Sequence, residues 1–387
     1  MKKRVVIAGF GDTGLLVAIH LGSQFDVVGI SPKPCLVSGQ ELGARLTRPS
    51  VWQQDYLMPF SRYKKLDGVK TLQGLISHID TENNTVTVNL ENEVDAIGEA
   101  APRQESALRQ KTVPYDVLLI ASGVSNGFWR NNTIENHSSI EQKIHAEANQ
   151  IEQAQSIAVV GGGATGVSVC ANIAETYPDK DIHYYFSQSQ PLPSYHSKVR
   201  EKIVAQLQSH NVHLHPNHRA VIPEGERLDR MSSSKVEWQA GQAPSQADLT
   251  LWAVGSTRPN SAFIPESMLN EQGYVKINQQ LRVPEFNNIF AVGDIAASDA
   301  NRSSARNWGY RIAANNIRCY LEQRDDDMQD FEAPEYRWGS LMGLQKNGLR
   351  VFQANGGSFR FPKWVVRTLL FPLAVHRAIY RGVRPSR

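Results

Sequence analysis

The sequence contains few cysteines and no apolar run long enough to cross a membrane. Of its 387 residues only Cys35, Cys170 and Cys319 are cysteines, and their spacing makes neither a Cys-x-x-Cys pair nor a metal-ligand cluster. We therefore expect reduced, mainly structural thiols and no metal site; chemistry that needs paired sulfur would require Cys170 and Cys319 to meet. The longest apolar run of the C-terminal part, Leu369–Val375, has seven residues, against the about 20 that a spanning helix needs.

Acidic side chains are missing from the C-terminal region. From Tyr336 to Arg387 there is no Asp or Glu but there are ten Lys or Arg, whereas the first 335 residues carry 31 basic and 38 acidic side chains. A basic tail on an acidic body predicts an anionic partner, either a membrane or nucleic acid. Large aliphatic side chains alternate with the basic ones between residues 361 and 384, which favours an anionic membrane surface and argues against nucleic acid.

This tail has the pattern of a segment that lies in a membrane interface. Basic residues recur four residues apart on both sides of Pro372, which predicts two short helices, each with a basic face. Trp364 and Tyr380 are side chains suited to anchor such helices among lipid headgroups. An alternative stays open: these helices cover the body of the protein or form the contact of a homodimer. The chain is expected to be a monomer or a homodimer.

The N-terminal sequence and the chain length predict where the protein is located and how many domains it has. Met1-Lys-Lys-Arg leads directly into the predicted strand Val5–Ala8, which leaves no room for a secretory leader. We therefore expect a cytoplasmic protein, which its basic tail could attach to the inner face of the membrane. A chain of 387 residues predicts two or three domains.

The first candidate ligand site follows this strand. A glycine loop precedes the helix-like run Leu15–Leu21, and its glycines permit a tight turn, close approach of a pyrophosphate and close packing of the helix. The phosphate would sit on the helix N-terminus. The candidate binding residues of the loop are Gly9, Gly11, Asp12, Thr13 and Gly14.

The next predicted strand, Phe25–Ile30, departs from the dinucleotide pattern at its end. Ser31 stands where that pattern expects an acidic residue for the adenine ribose. Ser31 and Lys33 are left to bind hydroxyls or phosphate. Residues 35–70 are polar and predicted to be irregular, and the strands Thr71–Ser77 and Thr85–Leu90 are predicted to follow.

A polar insertion, about Glu91–Lys111, is predicted to be a solvated hairpin extension without a chemical role. It precedes an apolar strand that begins at Tyr115 and ends in Ala121, Ser122 and Gly123, three further candidate binding residues at a strand end.

A second glycine loop begins about 150 residues after the first. It follows the strand that starts at Ile157, opens a helix predicted to reach about Glu175, and contains Gly161, Gly163, Thr165 and Gly166. The strand Ile182–Phe186 ends at Ser187, where an acidic residue would favour NADH and repel the 2′-phosphate of NADPH. Either nucleotide is therefore expected, with a slight preference for NADPH. A later strand of the same type ends at Gly255.

The apolar strand Ile289–Val292 runs straight into Gly293 and Asp294. Open α/β sheets bind ligands at the carboxyl ends of such strands, and this carboxylate can accept hydrogen bonds from a polyol. The two glycine loops and this Gly-Asp strand together indicate a dinucleotide-binding protein far more specifically than any one of these three motifs alone.

Across nearly the whole chain these motifs resemble the NAD(P)H-dependent FAD oxidoreductases of the ferroptosis-suppressor and apoptosis-inducing-factor-like group, relatives of the type II NADH:quinone dehydrogenases. The resemblance implies FAD and NAD(P)H as cofactors, a quinone-like acceptor, and Asp294 as the residue that holds the ribitol of FAD. It also implies FAD contacts by Arg48, in the stretch Arg48-Pro-Ser-Val, and by the backbone at Ile76.

This resemblance predicts an α/β fold of two interleaved Rossmann-like domains with a C-terminal α+β module. The FAD-binding domain would comprise residues 1–125 and 250–325, and the NAD(P)-binding domain residues 126–249. Residues 326–387 would form the basic amphipathic module.

Two departures from the group concern the chemistry. The second glycine helix of the group commonly carries two carboxylates, where this chain has Ser168 and Asn172. On the acceptor side of the flavin, quinone-reducing relatives often have Ala-x-Gln-Gln-Gly, where this chain has Asn307 and Trp308 within Ala305-Arg-Asn-Trp-Gly. A quinone acceptor therefore does not follow from the motifs alone.

We predict no catalytic side chain. Hydride transfer to a flavin needs alignment more than an acid or base, and a helix starting near Ser304 could stabilise the reduced flavin through its N-terminus. Two rivals stay open: a reductase of a small electron-transfer protein, and a flavoprotein that binds NAD(P)H as a sensor or scaffold without turnover.

Overall fold

Two sheets with parallel central strands organise the chain. The computed structural model describes residues 1–90, 109–222, 228, 230–255, 257–298, 309–333 and 339–385. Three sequence-based predictions therefore lie outside the described residues: most of the insertion after Glu91, the helix start near Ser304, and the acceptor-side pair Asn307 and Trp308.

The larger sheet has seven strands and joins distant parts of the chain. Its spatial order is β17 (Ile289–Ala291), β8 (Val117–Ile120), β1 (Arg4–Ala8), β2 (Asp26–Ser31), β5 (Lys70–Asp80), β6 (Thr85–Leu90) and β7 (Gln110–Pro114). The first five strands are parallel, β6 runs antiparallel to β5, and β7 runs antiparallel to β6. Ala8 and Ala291 are both in register with Ile120, so three strands end level at one edge.

The smaller sheet has four parallel strands from one continuous stretch. Its order is β12 (His213–His215), β11 (Asp181–Tyr185), β10 (Ser156–Val160) and β15 (Leu249–Trp252). All four strands fall between β8 and β17 of the larger sheet. The two units are thus interleaved along the chain, which confirms the predicted fold class. The domain bounds at residues 125, 249 and 325 remain predictions.

Helices cover both sheets. They are α1 (Asp12–Leu21), α2 (Leu42–Thr47), α3 (Pro49–Tyr56), α4 (His137–Gln153), α5 (Ala164–Thr176), α6 (Ser197–Ser209) and α7 (Gly309–Leu321). Helix α4 shows why such a segment folds: the side chain of Asn136 accepts a hydrogen bond from the Ser139 N–H at 2.8 Å, and Ile140, Ile144 and Ile151 share its buried face.

The prediction that residues 35–70 are irregular was wrong. This stretch forms α2, α3 and an antiparallel pair of strands, β3 (Cys35–Val37) and β4 (Leu57–Pro59), before two 3₁₀ turns at Phe60–Arg62 and Lys64–Leu66. Its two helices have only six and eight residues, too few to show a periodic apolar pattern. Leu46 and Trp52 are nevertheless buried, and Pro49 sits in the first turn of α3, where it needs no donor.

Short pairs and turns complete the body of the protein. They are β9 (Val124–Ser125) with β16 (Arg258–Pro259), β13 (Ala220–Val221) with β14 (Glu237–Trp238), and 3₁₀ turns at Glu266–Met268 and Asp325–Asp327.

The C-terminal module is α+β, as predicted. Its three antiparallel strands are β18 (Leu344–Gln345), β19 (Gly348–Phe352) and β20 (Ser358–Phe361), and α8 (Lys363–Val365) then continues into a π-helical segment, Val366–Ile379.

The prediction that Pro372 divides the tail into two helices was wrong, because this proline lies inside one continuous helical segment. Proline lacks a donor and its ring normally clashes with the carbonyl four residues earlier. The wider π turn, which bonds residues five apart, changes the position of that carbonyl relative to the ring. Within the part of the chain that the structure describes, no helix is both long and apolar enough to cross a membrane.

Strand alternation places two cores on the two faces of the larger sheet. Val5 and Ile7 of β1 face a core that includes α1 and α7, whereas Val6 and Ala8 face a second core with β6 and Val275. Both faces are therefore covered, as parallel sheets require, and the carboxyl edge of the sheet is left for a ligand.

Candidate functional site

The first glycine loop brings strand, loop and helix into backbone contact. Gly9 has φ +104°, and a Cβ added there would lie 2.4 Å from the Ala121 carbonyl oxygen. A Cβ on Gly14 would lie 2.1 Å from the Gly9 carbonyl oxygen, so α1 packs directly on the turn. Gly11, in contrast, faces open space, with no heavy atom within 4 Å of such a Cβ. The loop thus exposes backbone to a ligand at the N-terminus of α1.

A cleft at the carboxyl edge of the seven-stranded sheet collects most of the predicted binding residues. Those that line it are Gly9, Gly11, Asp12, Thr13, Ser31, Lys33, Ile76, Ala121, Ser122, Gly123, Gly293 and Asp294. Gly14 lies beneath the cleft, where it serves packing. The arrangement suits an elongated ligand with a diphosphate at the glycine loop and hydroxyl groups at both ends.

Asp294 forms one end of this cleft. It follows β17, is 5% exposed, and its Oδ2 accepts a hydrogen bond from Arg130 Nη1 at 2.9 Å. Gly293 has φ +85°, and a Cβ there would lie 3.0 Å from Thr13 Oγ1. The glycine therefore lets the end of β17 approach the first turn of α1, and the carboxylate is placed beside the glycine loop.

Asp12 is an ionisable group within the glycine loop itself. Its Oδ1 accepts a hydrogen bond from Ser38 Oγ at 2.9 Å, and the Gly39 N–H approaches its Oδ2 at 3.4 Å. Burial raises the pKa of Asp12, an effect that the positive charge of Arg130 and these two hydrogen bonds oppose. The N-terminus of α1 also favours a carboxylate at this position.

A carboxylate from a distant segment lies close to Ser31. Glu135 lines the cleft, and its backbone N–H donates to the Pro32 carbonyl at 3.2 Å. Its two carboxylate oxygens pair with Lys33 and Lys143. Sequence reasoning missed Glu135, because it lies 102 residues from Lys33 and no local motif marks it.

Arg48 lies outside this cleft, so Arg130 and not Arg48 is the arginine found beside Asp294. The Arg48 guanidinium donates to the Asn172 side-chain oxygen and to the Leu344 carbonyl, and it pairs with Glu175 at 3.4 Å. These contacts join the α2–α3 junction to α5 and to the C-terminal module, which leaves the FAD contact implied for Arg48 a prediction.

Asn172 has a structural role in the same network. Its side chain is fully buried, and Nδ2 donates at 2.8 Å to both the Ser168 and the Met342 carbonyl oxygens while Oδ1 accepts from Arg48. A carboxylate could not donate these two hydrogen bonds. The departure from the acidic pattern therefore has a physical reason here.

The second glycine loop repeats the geometry of the first. Gly161 has φ +131°, and a Cβ there would lie 2.1 Å from the Ala253 carbonyl oxygen; one on Gly166 would lie 2.2 Å from the Gly161 carbonyl oxygen. Gly163 again faces open space, and Thr165 lies in the first turn of α5. Gly255, with φ +73°, follows β15 and also leaves open space.

The loop predicted to lie at the ribose of this second site, residues 187–190, carries polar, uncharged side chains. Ser187 follows β11, and the four residues from 187 to 190 are exposed. Beside them, the ring of Tyr185 stacks on His215 at 4.3 Å and on Trp238 at 4.6 Å. Burial lowers the pKa of His215 to about 4, so this stack is neutral near pH 7.

The cysteines provide no paired sulfur. Cys35, Cys170 and Cys319 are all free and buried. Burial raises the pKa of Cys35 to about 12 and that of Cys170 well above its ordinary value, which keeps both as thiols. The expectation of reduced, structural thiols is confirmed, and chemistry that uses a dithiol next to the flavin is excluded.

Comparison with known proteins agrees with this geometry. The model of the pyridine nucleotide-disulphide oxidoreductase family matches residues 3–315. Apoptosis-inducing factor homolog B of Dictyostelium discoideum is 26% identical over 347 residues, which cover 84% of this chain and 83% of that protein. Human ferroptosis suppressor protein 1 is 27% identical over 236 residues, or 58% of this chain and 56% of that protein.

Solved structures share the fold. Reduced CoADR-RHD of Bacillus anthracis matches with a TM-score of 0.61 at 17% identity over 86% of this chain. NDH2 of Plasmodium falciparum, in complex with NADH, matches with a TM-score of 0.54 at 17% identity over 76% of this chain. The present chain spans 58% and 64% of the lengths of these two proteins, respectively.

Proposed function

We propose, from the premise that this chain belongs to the pyridine nucleotide-disulphide oxidoreductase family, that it passes electrons from NAD(P)H through FAD to a quinone-like acceptor. The family makes it an NAD(P)H-dependent flavin oxidoreductase. Beyond this family activity, we assign residues to each cofactor and a quinone-like compound as the acceptor.

The observation that carries the proposal is the duplication of the glycine loop. Both loops stand at the carboxyl edge of a parallel sheet, open a helix, and leave one glycine facing empty space. Two dinucleotides can therefore bind in one chain, as transfer between a nicotinamide and a flavin requires.

In the first cleft, the residues fit FAD. Gly11 and the N-terminus of α1 would receive the diphosphate, and Asp294 would accept hydrogen bonds from the ribitol hydroxyls. Glu135, next to Ser31, would stand at the adenosine ribose. FAD supplies the two-electron chemistry when bound, and the protein holds it in place and excludes water.

At the second glycine loop, the residues fit a nucleotide that enters and leaves. Gly163 and the N-terminus of α5 would receive its diphosphate, and Ser187 would lie at its ribose. Neither NADH nor NADPH meets a charge at Ser187, which supports use of both.

A quinone is proposed as the acceptor for two reasons: the resemblance to type II NADH:quinone dehydrogenases and the absence of a cysteine pair. Without a dithiol, electrons must leave the flavin directly for the acceptor. A two-electron carrier such as a quinone satisfies this, and a small electron-transfer protein is the rival that the experiment must separate.

Two faces of the π-helical segment support membrane attachment. Val375, Ile379 and Tyr380 pack on the core of the larger sheet, and the rings of Tyr63 and Tyr380 meet edge to face at 5.0 Å. Trp364, Leu369 and Leu373 project outward, with 64%, 46% and 50% of their surface exposed.

The outward side chains are spaced five and four residues apart, which places them on one side of the helical segment. Arg367, Arg377 and Arg381 are also exposed. An apolar row with arginines around it fits an anionic bilayer surface, where a lipid-soluble quinone is available.

Rapid mixing tests the enzyme. NADH or NADPH is expected to bleach the flavin of the purified protein, and a short-chain quinone is then expected to restore its absorbance within the turnover time. If neither nucleotide bleaches the flavin, the proposed oxidation of NAD(P)H is wrong. Slow reoxidation by quinone but rapid reoxidation by a one-electron protein acceptor would favour the rival reductase, and a long-lived reduced complex would favour the sensor.

Vesicle flotation tests the attachment. A triple variant with serine at Trp364, Leu369 and Leu373 leaves the packed face intact, and it is expected to abolish flotation with anionic vesicles while FAD is retained. Val51→Ser removes an apolar side chain that is 44% exposed elsewhere and is the matched control. Equal flotation of the triple variant and the wild type would show that the outward face does not bind lipid.

A further inference from the structure

We propose that Lys202, Arg350 and Ser358 form a binding site for a phosphate group, separate from both nucleotide sites. None of the three lines the cleft at the first glycine loop. They meet where helix α6 lies against the hairpin of β19 and β20 in the C-terminal module. The inference does not depend on the proposed electron acceptor.

The hydroxyl group of Ser358 lies between two cations. Its Oγ is 3.2 Å from Lys202 Nζ and 3.2 Å from Arg350 Nη1, and it accepts a hydrogen bond from each. Lys202 Nζ also approaches the Gly356 carbonyl oxygen at 3.4 Å. A hydroxyl that accepts twice still has its own proton to donate, and no described residue accepts that proton. Two positive charges and one O–H donor are therefore available at the same place.

A third cation increases the positive charge of this place. Arg350 and Arg360 are direct cross-strand partners in the register of β19 and β20. Like charges that stand opposite each other destabilise an antiparallel pair. Burial lowers the pKa of Arg350, and the positive charge of Arg360 lowers it further. The hairpin thus contains an electrostatic repulsion that a bound anion would relieve.

Carboxylates do not balance this charge. The sequence has no Asp or Glu between Tyr336 and Arg387. Among the described residues, no acidic side chain forms an ion pair with any of the three cations, not even Glu201, which precedes Lys202 in α6. Arg384 of the same module, by contrast, pairs with Asp67 at 2.6 Å. The cluster on the hairpin is therefore left for an anion from outside the chain.

A phosphate group matches these donors better than a carboxylate does. At pH 7 a phosphate monoester carries about 1.5 to 2 negative charges and three terminal oxygens. The guanidinium of Arg350 can donate two parallel N–H groups, the ammonium of Lys202 acts as a point charge, and the hydroxyl of Ser358 adds one donor.

Two sources can present such a phosphate group. A soluble phosphate ester would reach the site from solution. A lipid headgroup would reach it from a bilayer on which the outward face of the tail lies, because only Pro362 and Lys363 separate β20 from Trp364 and because α8 lies against β19. The chemistry of recognition is the same for both sources.

Thermal unfolding in inorganic phosphate tests the soluble source. FAD-loaded protein saturated with NAD+ is used, so that both glycine loops are occupied. Phosphate is expected to raise the Tm of the wild type, and Arg350→Gln is expected to weaken the apparent phosphate affinity at least about fivefold, because a charged donor is lost. Lys111→Gln, which removes an exposed charge from the distant strand β7, is the matched control and is expected to keep the affinity of the wild type.

The order of stability is expected to reverse when phosphate is replaced by chloride at equal ionic strength. Arg360→Gln removes one of two like charges, so its Tm in chloride should exceed that of the wild type. In phosphate the wild type should gain more than this variant does. A Tm of Arg360→Gln below that of the wild type in chloride would show that no repulsion exists, and it would overturn the inference.

Vesicle flotation tests the lipid source. Phosphatidic acid presents a phosphate monoester, whereas phosphatidylserine gives an anionic vesicle without one. Arg350→Gln is expected to weaken flotation with phosphatidic acid at least about threefold more than flotation with phosphatidylserine. If the wild type neither responds to phosphate nor prefers phosphatidic acid, the inference is overturned. Weaker binding of NADPH but not of NADH by Arg350→Gln would assign the arginine to the second nucleotide and would also overturn a separate site.

Discussion

The two glycine loops have nearly the same backbone and different chemistry. In both loops the first glycine packs against a carbonyl oxygen at the end of a neighbouring strand, and the last glycine packs against the carbonyl oxygen of the first. A Cβ added to any of these four glycines would lie between 2.1 and 2.4 Å from that oxygen. Between them the first loop places Asp12 and the second places Ala164. Glycine spacing therefore determines the turn, and the residue at the helix start determines the electrostatics of the site.

The surroundings of the two loops differ in the same direction. Beside the first loop, Arg130 donates to Asp294 and its charge acts on Asp12, whereas the segment predicted to lie at the ribose of the second site is the exposed, uncharged loop at Ser187. A cofactor that stays through many turnovers needs strong contacts, and a substrate that leaves after each one does not. The contrast matches retained FAD and exchanging NAD(P)H.

Substitution of the first glycine of each loop should give the largest effect. A Cβ would collide with a carbonyl at Gly9 and at Gly161, and both have positive φ, so each alanine variant should lose roughly 2–5 kcal/mol of stability. Gly9→Ala is expected to lose FAD. Gly161→Ala is expected to keep FAD but lose bleaching by NADH and NADPH, which flavin absorbance measures.

The middle glycines are the controls for this pair. Gly11→Ala and Gly163→Ala add a Cβ to open space, so the unfolding free energy should change by less than about 1 kcal/mol. Equal destabilisation by all four substitutions would contradict the assignment of distinct roles within each loop.

Asn172→Asp should destabilise the protein, because the helix after the second loop uses this amide as a hydrogen-bond donor. The aspartate would place a carboxylate oxygen 2.8 Å from the Ser168 and Met342 carbonyls, and it should cost about 1–3 kcal/mol despite the nearby Arg48. Urea denaturation measures the effect. An increase in stability would show that the ion pair with Arg48 outweighs the lost donors.

Ser187→Glu should make the second site selective. A carboxylate at the end of β11 would accept ribose hydroxyls and repel a 2′-phosphate, so the ratio of kcat/KM for NADH over NADPH should rise about tenfold. Gln190→Glu adds the same charge three residues later and is expected to change the ratio less than threefold. Similar shifts in both variants would indicate a general charge effect.

Asp12→Asn should have the smallest effect, which is a change in how the stability of the protein depends on pH. The pKa of Asp12 is raised in the folded protein, so stability falls as pH rises through that value and the loss persists at higher pH. The asparagine variant of the apoprotein should therefore be more stable at pH 7, on the order of 1 kcal/mol. Thermal unfolding should show the difference vanish at low pH; a constant difference would contradict the linkage.

Sequence patterns predicted the backbone of this protein well because glycine loops and apolar strands are local signals. The strands around Val5, Ile157 and Ile289 and both loop helices lie where predicted, since burial on both faces leaves few alternatives. Short elements such as α2 and α3 were missed, because six or eight residues carry too little periodicity.

The charged contacts of the first cleft could not be predicted in this way. Arg130 and Glu135 reach Asp294 and Lys33 across 164 and 102 residues of sequence, so only the folded chain brings them together. The family resemblance implies an FAD contact for Arg48, which remains a prediction; the fold directs its guanidinium to Asn172, a contact that no local motif indicates.

The interleaving of the two sheets has a consequence for the nascent chain. The four-stranded sheet is complete once Trp252 has emerged from the ribosome, whereas β1, β2, β5 and β8 wait for β17, which ends at Ala291. At about 5–20 residues per second, the 39 residues between these points take roughly 2–8 seconds to translate. The unit that is second in the sequence can therefore fold first, before the larger sheet is complete.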